Sequence, residues 1–472
     1  MNVLRIFLAA GCSALTACAN LSGIAPGSRR VDPQTLNNGS LLEASEGAAW
    51  PRESWWRDYR DAQLDALVNQ VQDGNPDLRA AGARVTQAQG LAAMRYGATL
   101  PQVQANSNIS RTYLTGEERS PSLSGSRTFW DSNILLNASY DLDLWGARRN
   151  ALASALDAMH ASEAENHAAQ LTLTTATVQS YVQLSTQFAL RDIAQVNLER
   201  EQRILHIAQR RHSAGLGTRL EVDEASTALS DGLAQIEAIT EAIALQTHQL
   251  AALAGQGPGA GDSITRPTMK LDGPLHLPDS LPAELVGRRP DIVAERWRVE
   301  SAAAEIKVAK AQFYPNVNLV AFAGVSGLNI NRLLNGNSLT GSWGPAVSLP
   351  VFNGGILRGN LRVQTAGYDI AVESYNGTVI GALQEVADRV VSFRSLQKQL
   401  ERTEDALASA LRAYELAEQG YRGGLVDYLD VLNAQAELLA EQRARTLIVA
   451  EQFLAHAGLM KALGGGYREG AR

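Results

Sequence analysis

From residue 133 to residue 145, Ile134, Leu136, Ala138, Tyr140, Leu142 and Leu144 alternate with Asn133, Asn137, Ser139, Asp141 and Asp143. A period of two with one apolar and one polar face predicts a half-buried strand. Residues 102–113 repeat the pattern, with Val103, Ala105 and Ile109 set against Gln102, Gln104, Asn106, Asn108 and Ser110. Val317, Leu319, Ala321, Ala323 and Val325 predict a third strand, and Trp343, Val347, Leu349 and Val351 a fourth. The four are expected near residues 101–115, 128–145, 315–328 and 340–352. Alternating segments of about ten residues, apolar outward and polar inward, mark outer-membrane β-strands. The same pattern is compatible with a soluble β-sandwich. Four strands cannot close a barrel, since the smallest membrane barrels need about eight. If these strands cross a membrane, several chains must contribute.

A different period governs the rest. From Ala147 to Ala214 there is neither Gly nor Pro, and Ala, Leu, Gln, Glu and Arg, all good helix formers, dominate. At 1.5 Å per residue such a run reaches roughly 100 Å. The predicted long helices cover residues 147–214, 218–255, 356–420 and 427–463, too long for a compact core and therefore packed along one another. Val222, Ser226, Leu229, Leu233, Ile236, Thr240 and Ile243 keep a 4,3 spacing, as do Leu425, Leu429, Leu432, Ala436 and Leu439. That is the seam of a coiled coil. A plain two-stranded coiled coil would satisfy it, but the many alanines leave two narrow small-residue faces, which suit a wall of helices packed on both sides.

The order of elements occurs twice. Residues 76–103 align without a gap on 290–317, with Pro76/Pro290, Asp77/Asp291, Arg84/Arg298, Pro101/Pro315 and Val103/Val317 matching. Gly215-Leu216 and Leu220-Glu221-Val222 align in turn with Gly424-Leu425 and Leu429-Asp430-Val431. The chain therefore divides into a leading segment of residues 1–17, a first repeat of residues 18–282 and a second of residues 283–472, each reading helix, two strands, very long helix, turn, helix.

The leading segment is a targeting signal, with Arg5, then an apolar stretch, then Leu15-Thr16-Ala17-Cys18. Leu-Thr-Ala-Cys resembles the bacterial lipobox, which implies lipidation of Cys18 and an N-terminal acyl anchor; an ordinary signal peptide with a chance cysteine is the plainer alternative. Ala19 stands where inner-membrane-retained lipoproteins carry Asp, which implies sorting to the outer membrane. With Cys12 removed and Cys18 acylated, no disulfide is expected.

Composition narrows the classes. The 42 basic and 49 acidic side chains give 42 − 49 = −7, and no Lys/Arg run suited to phosphates is present, so no nucleic-acid partner is expected. Hydrophobic residues make up 45% of the chain, yet no stretch after residue 17 approaches the ~20 apolar residues of a spanning helix. No Walker loop, G-x-S-x-G or HExxH motif occurs, so no enzyme activity, cofactor or metal is expected. The seven histidines, His206 and His212 among them, read as solvated helix surface.

Several motifs together are recognisable: Trp55-Trp56 with Leu64 and Leu67, Asn75-Pro76-Asp77-Leu78, Arg289-Pro290-Asp291-Ile292, Phe313-Tyr314-Pro315, Leu349-Pro350-Val351-Phe352-Asn353-Gly354-Gly355 and Lys461-Ala462-Leu463-Gly464-Gly465-Gly466-Tyr467. With these the sequence resembles the outer membrane efflux proteins, the TolC-like outer membrane factors, and among them the OprM/NodT lipoprotein branch. Asn353 replaces a frequent Asp and Tyr467 a frequent Trp. The resemblance implies a helix-dominated membrane α+β fold and a homotrimer. Each chain would give four strands to a twelve-stranded outer-membrane β-barrel, continued by a long periplasmic α-helical barrel. It implies a passive exit duct of a tripartite pump, working with a periplasmic adaptor and an inner-membrane resistance-nodulation-division transporter on drugs or other small molecules. Exit ducts for type I protein secretion or metal efflux share the fold, and a periplasmic coiled-coil scaffold lipoprotein without a pore is the alternative of another class.

A duct open at rest would breach the outer barrier, so its periplasmic mouth should close. The two repeat turns, residues 215–221 and 424–430, resemble the family's mouth hairpins. The resemblance places Asp430 in an acidic ring with Asp427 and Leu429 beside it, Tyr421 as a tyrosine that bonds a neighbouring hairpin, and Glu221 as its acidic counterpart. The basic residue expected near Val426 is absent, with Arg219 or Arg422 as substitutes, and Asn433 stands where a second acidic ring would fall. Without the resemblance, Asp427 and Asp430 read as acids complementing a helix N-terminus, worth ~0.3–1 kcal/mol.

Overall fold

The computed structural model describes residues 21–33, 35–36, 50–113, 128–270, 285, 287–328, 331, 333 and 335–470. Cys18 and the signal segment lie outside the described residues. The helices are α1 (Ala62–Gly74), α2 (Pro76–Gly97), α3 (Ala147–Ser213), α4 (Arg219–Leu253), α5 (Pro290–Ala311), α6 (Ile356–Arg422) and α7 (Tyr428–Ala462). The strands are β1 (Gln102–Tyr113), β2 (Thr128–Asp141), β3 (Asn316–Gly327) and β4 (Leu339–Ser348). Among the described residues no helix is long and apolar enough to cross a membrane. The chain folds into two compact units, each drawing on both sequence halves.

The first unit contains Arg84–Ser162, Glu295–Tyr375 and the described part of Met1–Arg30. Its centre is one antiparallel sheet in the order β1-β2-β3-β4. Register aligns the alternation across all four strands: Val103 faces Ala138, Ala138 faces Ala321, and Ala321 faces Trp343. Residues opposite one another share a face, so Val103, Leu136, Tyr140, Leu319, Trp343 and Val347 form one apolar surface. These side chains are exposed in the single chain, Trp343 at 87%. Gln104, Asn106, Asn137, Asn318 and Ser342 line the opposite face. Tyr113 and Trp130 sit at one end of the apolar face, Arg111 lying 5.9 Å from the Trp130 ring centroid. At the other end Trp145 stacks on Tyr314 at 4.6 Å and its indole N–H donates to the Pro315 carbonyl (2.8 Å). Aromatic residues at both borders of an apolar band suit a lipid–water boundary.

β2 ends at Asp141, short of the expected residue 145, because Asp143 turns to cap the next helix. With φ +46°, its carboxylate accepts from the N–H groups of Arg148 and Arg149, both at 2.9 Å. β4 ends before Leu349 and Val351, where Pro350 has no N–H to give a ladder and Gly354 and Gly355 take positive φ. The described N-terminal stretch lies on α5 and α6: Leu21 and Ile24 pack against Ile306, Ala309, Phe313 and Leu361, and Asp369 accepts from the N–H groups of Gly27 and Ser28, both at 3.0 Å.

The second unit contains Val31–Ala83, Glu163–Ala294 and Asn376–Arg472. One apolar cluster gathers Trp55, Trp56, Tyr59, Leu64 and Val68 against Val178, Tyr181, Leu184, Leu250 and Phe453. Asp61, 4% exposed, ties three segments there: it caps α1 through the Gln63 N–H (3.0 Å), and accepts from the Tyr181 hydroxyl (2.9 Å) and the Thr268 N–H (2.7 Å). His456 is also here, its Nδ1 2.8 Å from the Tyr59 hydroxyl, so the reading of all histidines as solvated surface fails for this one. The repeat diverges where α2 and α5 begin. Asn75 caps α2 through the Asp77 N–H (2.8 Å), whereas its counterpart Arg289, buried, binds Asp291 (2.7 Å), Glu385 (2.9 Å) and the Ala462 carbonyl (3.0 Å). Gly464, Gly465 and Gly466 end α7 with φ of +85°, +58° and +89°. They are also contact points, since a Cβ at Gly464 would overlap the Arg288 carbonyl oxygen and one at Gly465 the Leu171 side chain.

Candidate gate at the helix reversals

The two turns between the long helices share one construction. Gly215 and Gly424 both have φ +73°, and the next N–H in each turn reaches back five residues, Leu216 to the Arg211 carbonyl (2.9 Å) and Leu425 to the Gly420 carbonyl (2.8 Å). This is the Schellman closure that glycine makes possible without a Cβ penalty. Each following helix opens with a capping box. Thr218 receives the Glu221 N–H (3.2 Å) while Glu221 receives the Thr218 N–H (3.3 Å). Asp427 and Asp430 do the same, at 3.1 and 3.2 Å. The duplication therefore extends to the hydrogen bonds.

Asp427 and Asp430 are exposed despite this role, and the second carboxylate oxygen of Asp430 is not used by the cap. Leu429, 60% exposed, and its repeat counterpart Leu220, 65%, stand on the outer surface of these helix starts, and Leu216 and Leu425 project from the turns themselves. Four exposed leucines on two adjoining turns are an unusual cost for a water-facing surface.

Between the two hairpins lies the contact that joins them. The Tyr421 hydroxyl donates to Glu221 Oε2 at 3.1 Å, uniting the end of α6 with the start of α4. Burial, and then the facing Glu221 carboxylate, push the Tyr421 hydroxyl pKa up to about 12, so it stays a donor across the physiological range. Tyr428 packs beside it with ring centroids 5.7 Å apart, and both rings join Ile204, Ala208, Ala225, Val431 and Leu438 in one apolar cluster.

Both cations expected at the gate, Arg219 and Arg422, are paired within their own helices. Arg219 is held by Asp223 one turn onward and Arg422 by Glu418 one turn back, in both cases an i,i+4 pair on one helix face. Arg211 takes the position. Its guanidinium lies 4.8 Å from the Tyr421 ring centroid, and it donates to the carbonyls of Leu216 (3.1 Å) and Tyr421 (3.4 Å). Nothing local marks Arg211 among Arg210, Arg211 and His212; only the 210-residue pairing with Tyr421 does. The expected residues Tyr421 and Glu221 thus meet, Asp427, Asp430 and Leu429 cluster at the neighbouring helix start, and Arg219 is engaged elsewhere. Among the described residues no group of His, Cys, Asp and Glu is placed to hold a metal ion. The assembly is a set of breakable polar contacts across two hairpins, which suits a latch.

Comparison with known proteins identifies the family of the chain. The family model described as "Outer membrane efflux protein" matches residues 67–256 and 281–465. The chain is 43% identical over 357 residues to the fusaric acid resistance protein FusA of Burkholderia cepacia, covering 75% of this chain and 67% of that relative. It is 30% identical over 478 residues to the pyoverdine export outer membrane protein OpmQ of Pseudomonas aeruginosa, covering 99% and 98%. Among solved structures, the outer membrane protein VceC of Vibrio cholerae superposes with a TM-score of 0.84 at 35% identity, over 89% of this chain and all of that one.

Proposed function

The chain belongs to the outer membrane efflux protein family and is an outer-membrane efflux channel, and from that premise we propose that three copies form the exit duct of a tripartite pump. The duct would receive small organic molecules from a periplasmic adaptor and an inner-membrane resistance-nodulation-division transporter and conduct them passively outward. The observation that carries the trimer is the sheet. Its apolar face suits lipid, yet among the described residues β1 and β4 each leave one edge without a strand partner. Backbone groups in hydrocarbon must all be paired, so the edges must close on other copies of the chain. The fusaric acid and pyoverdine relatives favour small-molecule cargo over protein. An acyl anchor on Cys18 would hold the described N-terminal stretch close to the sheet end of α5.

At the hairpins, Asp430 from three chains would form an acidic ring around the axis, closed at rest by the Tyr421–Glu221 contact and by Arg211. Rings of carboxylates attract and hold cations in narrow pores. Detergent-extracted protein should run as a trimer that heating dissociates, and in planar bilayers should conduct with a cation block that Asp430→Ala relieves. A heat-insensitive monomer with an almost purely helical spectrum would refute the duct, while an unchanged block in Asp430→Ala would refute only the ring.

A further inference from the structure

Above the Tyr421–Glu221 contact, the seam between α3 and α7 is interrupted by a polar layer. Gln435, 6% exposed, donates its amide to Asn197 Oδ1 at 2.8 Å, and Asn197, 5% exposed, donates in turn to Glu201 Oε1 at 2.6 Å. Apolar residues flank the layer on both helices: Ile204 and Ala208 on α3, Val431 and Leu438 on α7. The second Glu201 oxygen, Oε2, is buried without a hydrogen-bond partner. It rests against Gly232 of α4, where a Cβ would overlap it. A glycine is a poor helix former inside a 35-residue helix, and here it makes room for this carboxylate. An orphaned buried acceptor carries a desolvation cost and calls for a physical account.

The spacing supplies one. Asn197 and Glu201 are four residues apart, one turn, on the same face of α3. Two acceptors therefore stand on residues about 6 Å apart along α3, four residues at 1.5 Å each, and Gln435 occupies one of them. Rotation about the last torsion of Glu201 presents either oxygen. Because α3 runs toward its turn and α7 away from its own, a shift of α7 by one turn toward the hairpin tips carries Gln435 from Asn197 to Glu201. One-turn ratchets between two packed arrangements are an established way for helices to switch.

From this we infer that Asn197 and Glu201 are two stations of a ratchet for Gln435, positioning α7 against α3 in the resting duct and in a second, shifted state. The inference rests on the proposed gate but names residues outside it. Burial and the nearby Asp231 carboxylate hold the Glu201 pKa above its ordinary value, with the Asn197 amide opposing them. Tyr428, on the same helix as Gln435, also lies in the field of Glu201 and of Glu224.

Paired cysteines test this directly in membranes. Asn197→Cys with Gln435→Cys should cross-link in the full-length trimer, and Glu201→Cys with Gln435→Cys should cross-link more weakly, rising several-fold when Tyr421→Phe is added. Glu199→Cys with Gln435→Cys, on the exposed face of α3, is the background control. In bilayers, Asn197→Leu should increase the open fraction, Glu201→Leu should decrease it, and Glu201→Gln, which keeps an acceptor, should stay close to the parent. A Glu201–Gln435 cross-link no stronger than the control in both backgrounds overturns the ratchet, as do Asn197→Leu and Glu201→Leu shifting the open fraction in the same direction. Failure of the gate reading shows separately, as a Tyr421→Phe trimer with unaltered conductance.

Discussion

Acidification should loosen the apolar cluster around Tyr59 through one side chain. His456 Nδ1 lies 2.8 Å from the Tyr59 hydroxyl and its ring 5.5 Å from the Tyr59 ring. Burial, opposed only by the Asp58 carboxylate, lowers its pKa from 6.5 to about 4. The folded state thus holds a neutral imidazole that the unfolded chain would protonate near pH 6.5. The unfolded state binds more protons between those values, so stability is complete above pH 6.5, falls as the pH drops through that window, and levels off below about 4. At pH 5 the unfolded imidazole is almost fully charged and the folded one almost fully neutral, a gap of about 1.5 pH units, or roughly 2 kcal/mol at 1.36 kcal/mol per unit. Local opening of the segment from Trp55 to Val71 should become about 30-fold more frequent between pH 7.5 and 5. Hydrogen exchange of those amides, corrected for intrinsic rates, reads this in the intact trimer. In His456→Gln the slope should vanish. Parallel pH profiles for parent and variant would show that His456 is not the titrating group and would refute the reasoning.

Other outcomes follow from single contacts. Leu136→Arg, on the apolar sheet face, should cost about 2–4 kcal/mol and lower the yield of membrane-inserted trimer, whereas Asn137→Arg, one residue along on the polar face, should assemble normally and alter conductance. Gly464→Ala combines φ +85° with overlap on the Arg288 carbonyl and should abolish folded trimer, measured by heat-modifiable mobility; Gly359→Ala, where open space surrounds the new Cβ, should not. Tyr421→Phe removes a hydrogen bond to a carboxylate, worth about 1.5–3 kcal/mol, and should raise the resting conductance of the channel in bilayers.

Much of this was readable along the chain because it is local. The column Val103, Ala138, Ala321, Trp343 belongs to four strands whose own alternation already assigned each residue to one face, and register only had to align them. The length of α3 was readable from the absence of Gly and Pro between Ala147 and Ala214, and the helix reversals from Gly215 and Gly424. One of the two capping boxes, Asp427 and Asp430, was visible as acids at a helix start, although not as a reciprocal pair. What sequence reading missed depends on partners hundreds of residues away. Arg211 meets Tyr421 because two turns of identical construction lie side by side, and His456 meets Tyr59 across 397 positions. Arg219 and Arg422 seemed equally suited to the gate, but each is paired with a carboxylate one turn away on its own helix. Glu201 meets Gly232 of the following helix, a contact between positions 31 apart that no local pattern marks.

The unpaired edges of β1 and β4 also determine how this protein enters the world and how it fails. By the trimer proposed above, a lone copy would not rest in the bilayer, so insertion and association would be a single event, faster at higher concentration. Heredity follows from the same geometry. If three chains close each ring, a variant that folds but cannot complete its seam traps its sound companions. Expressed equally with the parent, it would spoil roughly seven rings in eight, so such lesions should be dominant, while those that prevent the chain from folding at all should be recessive.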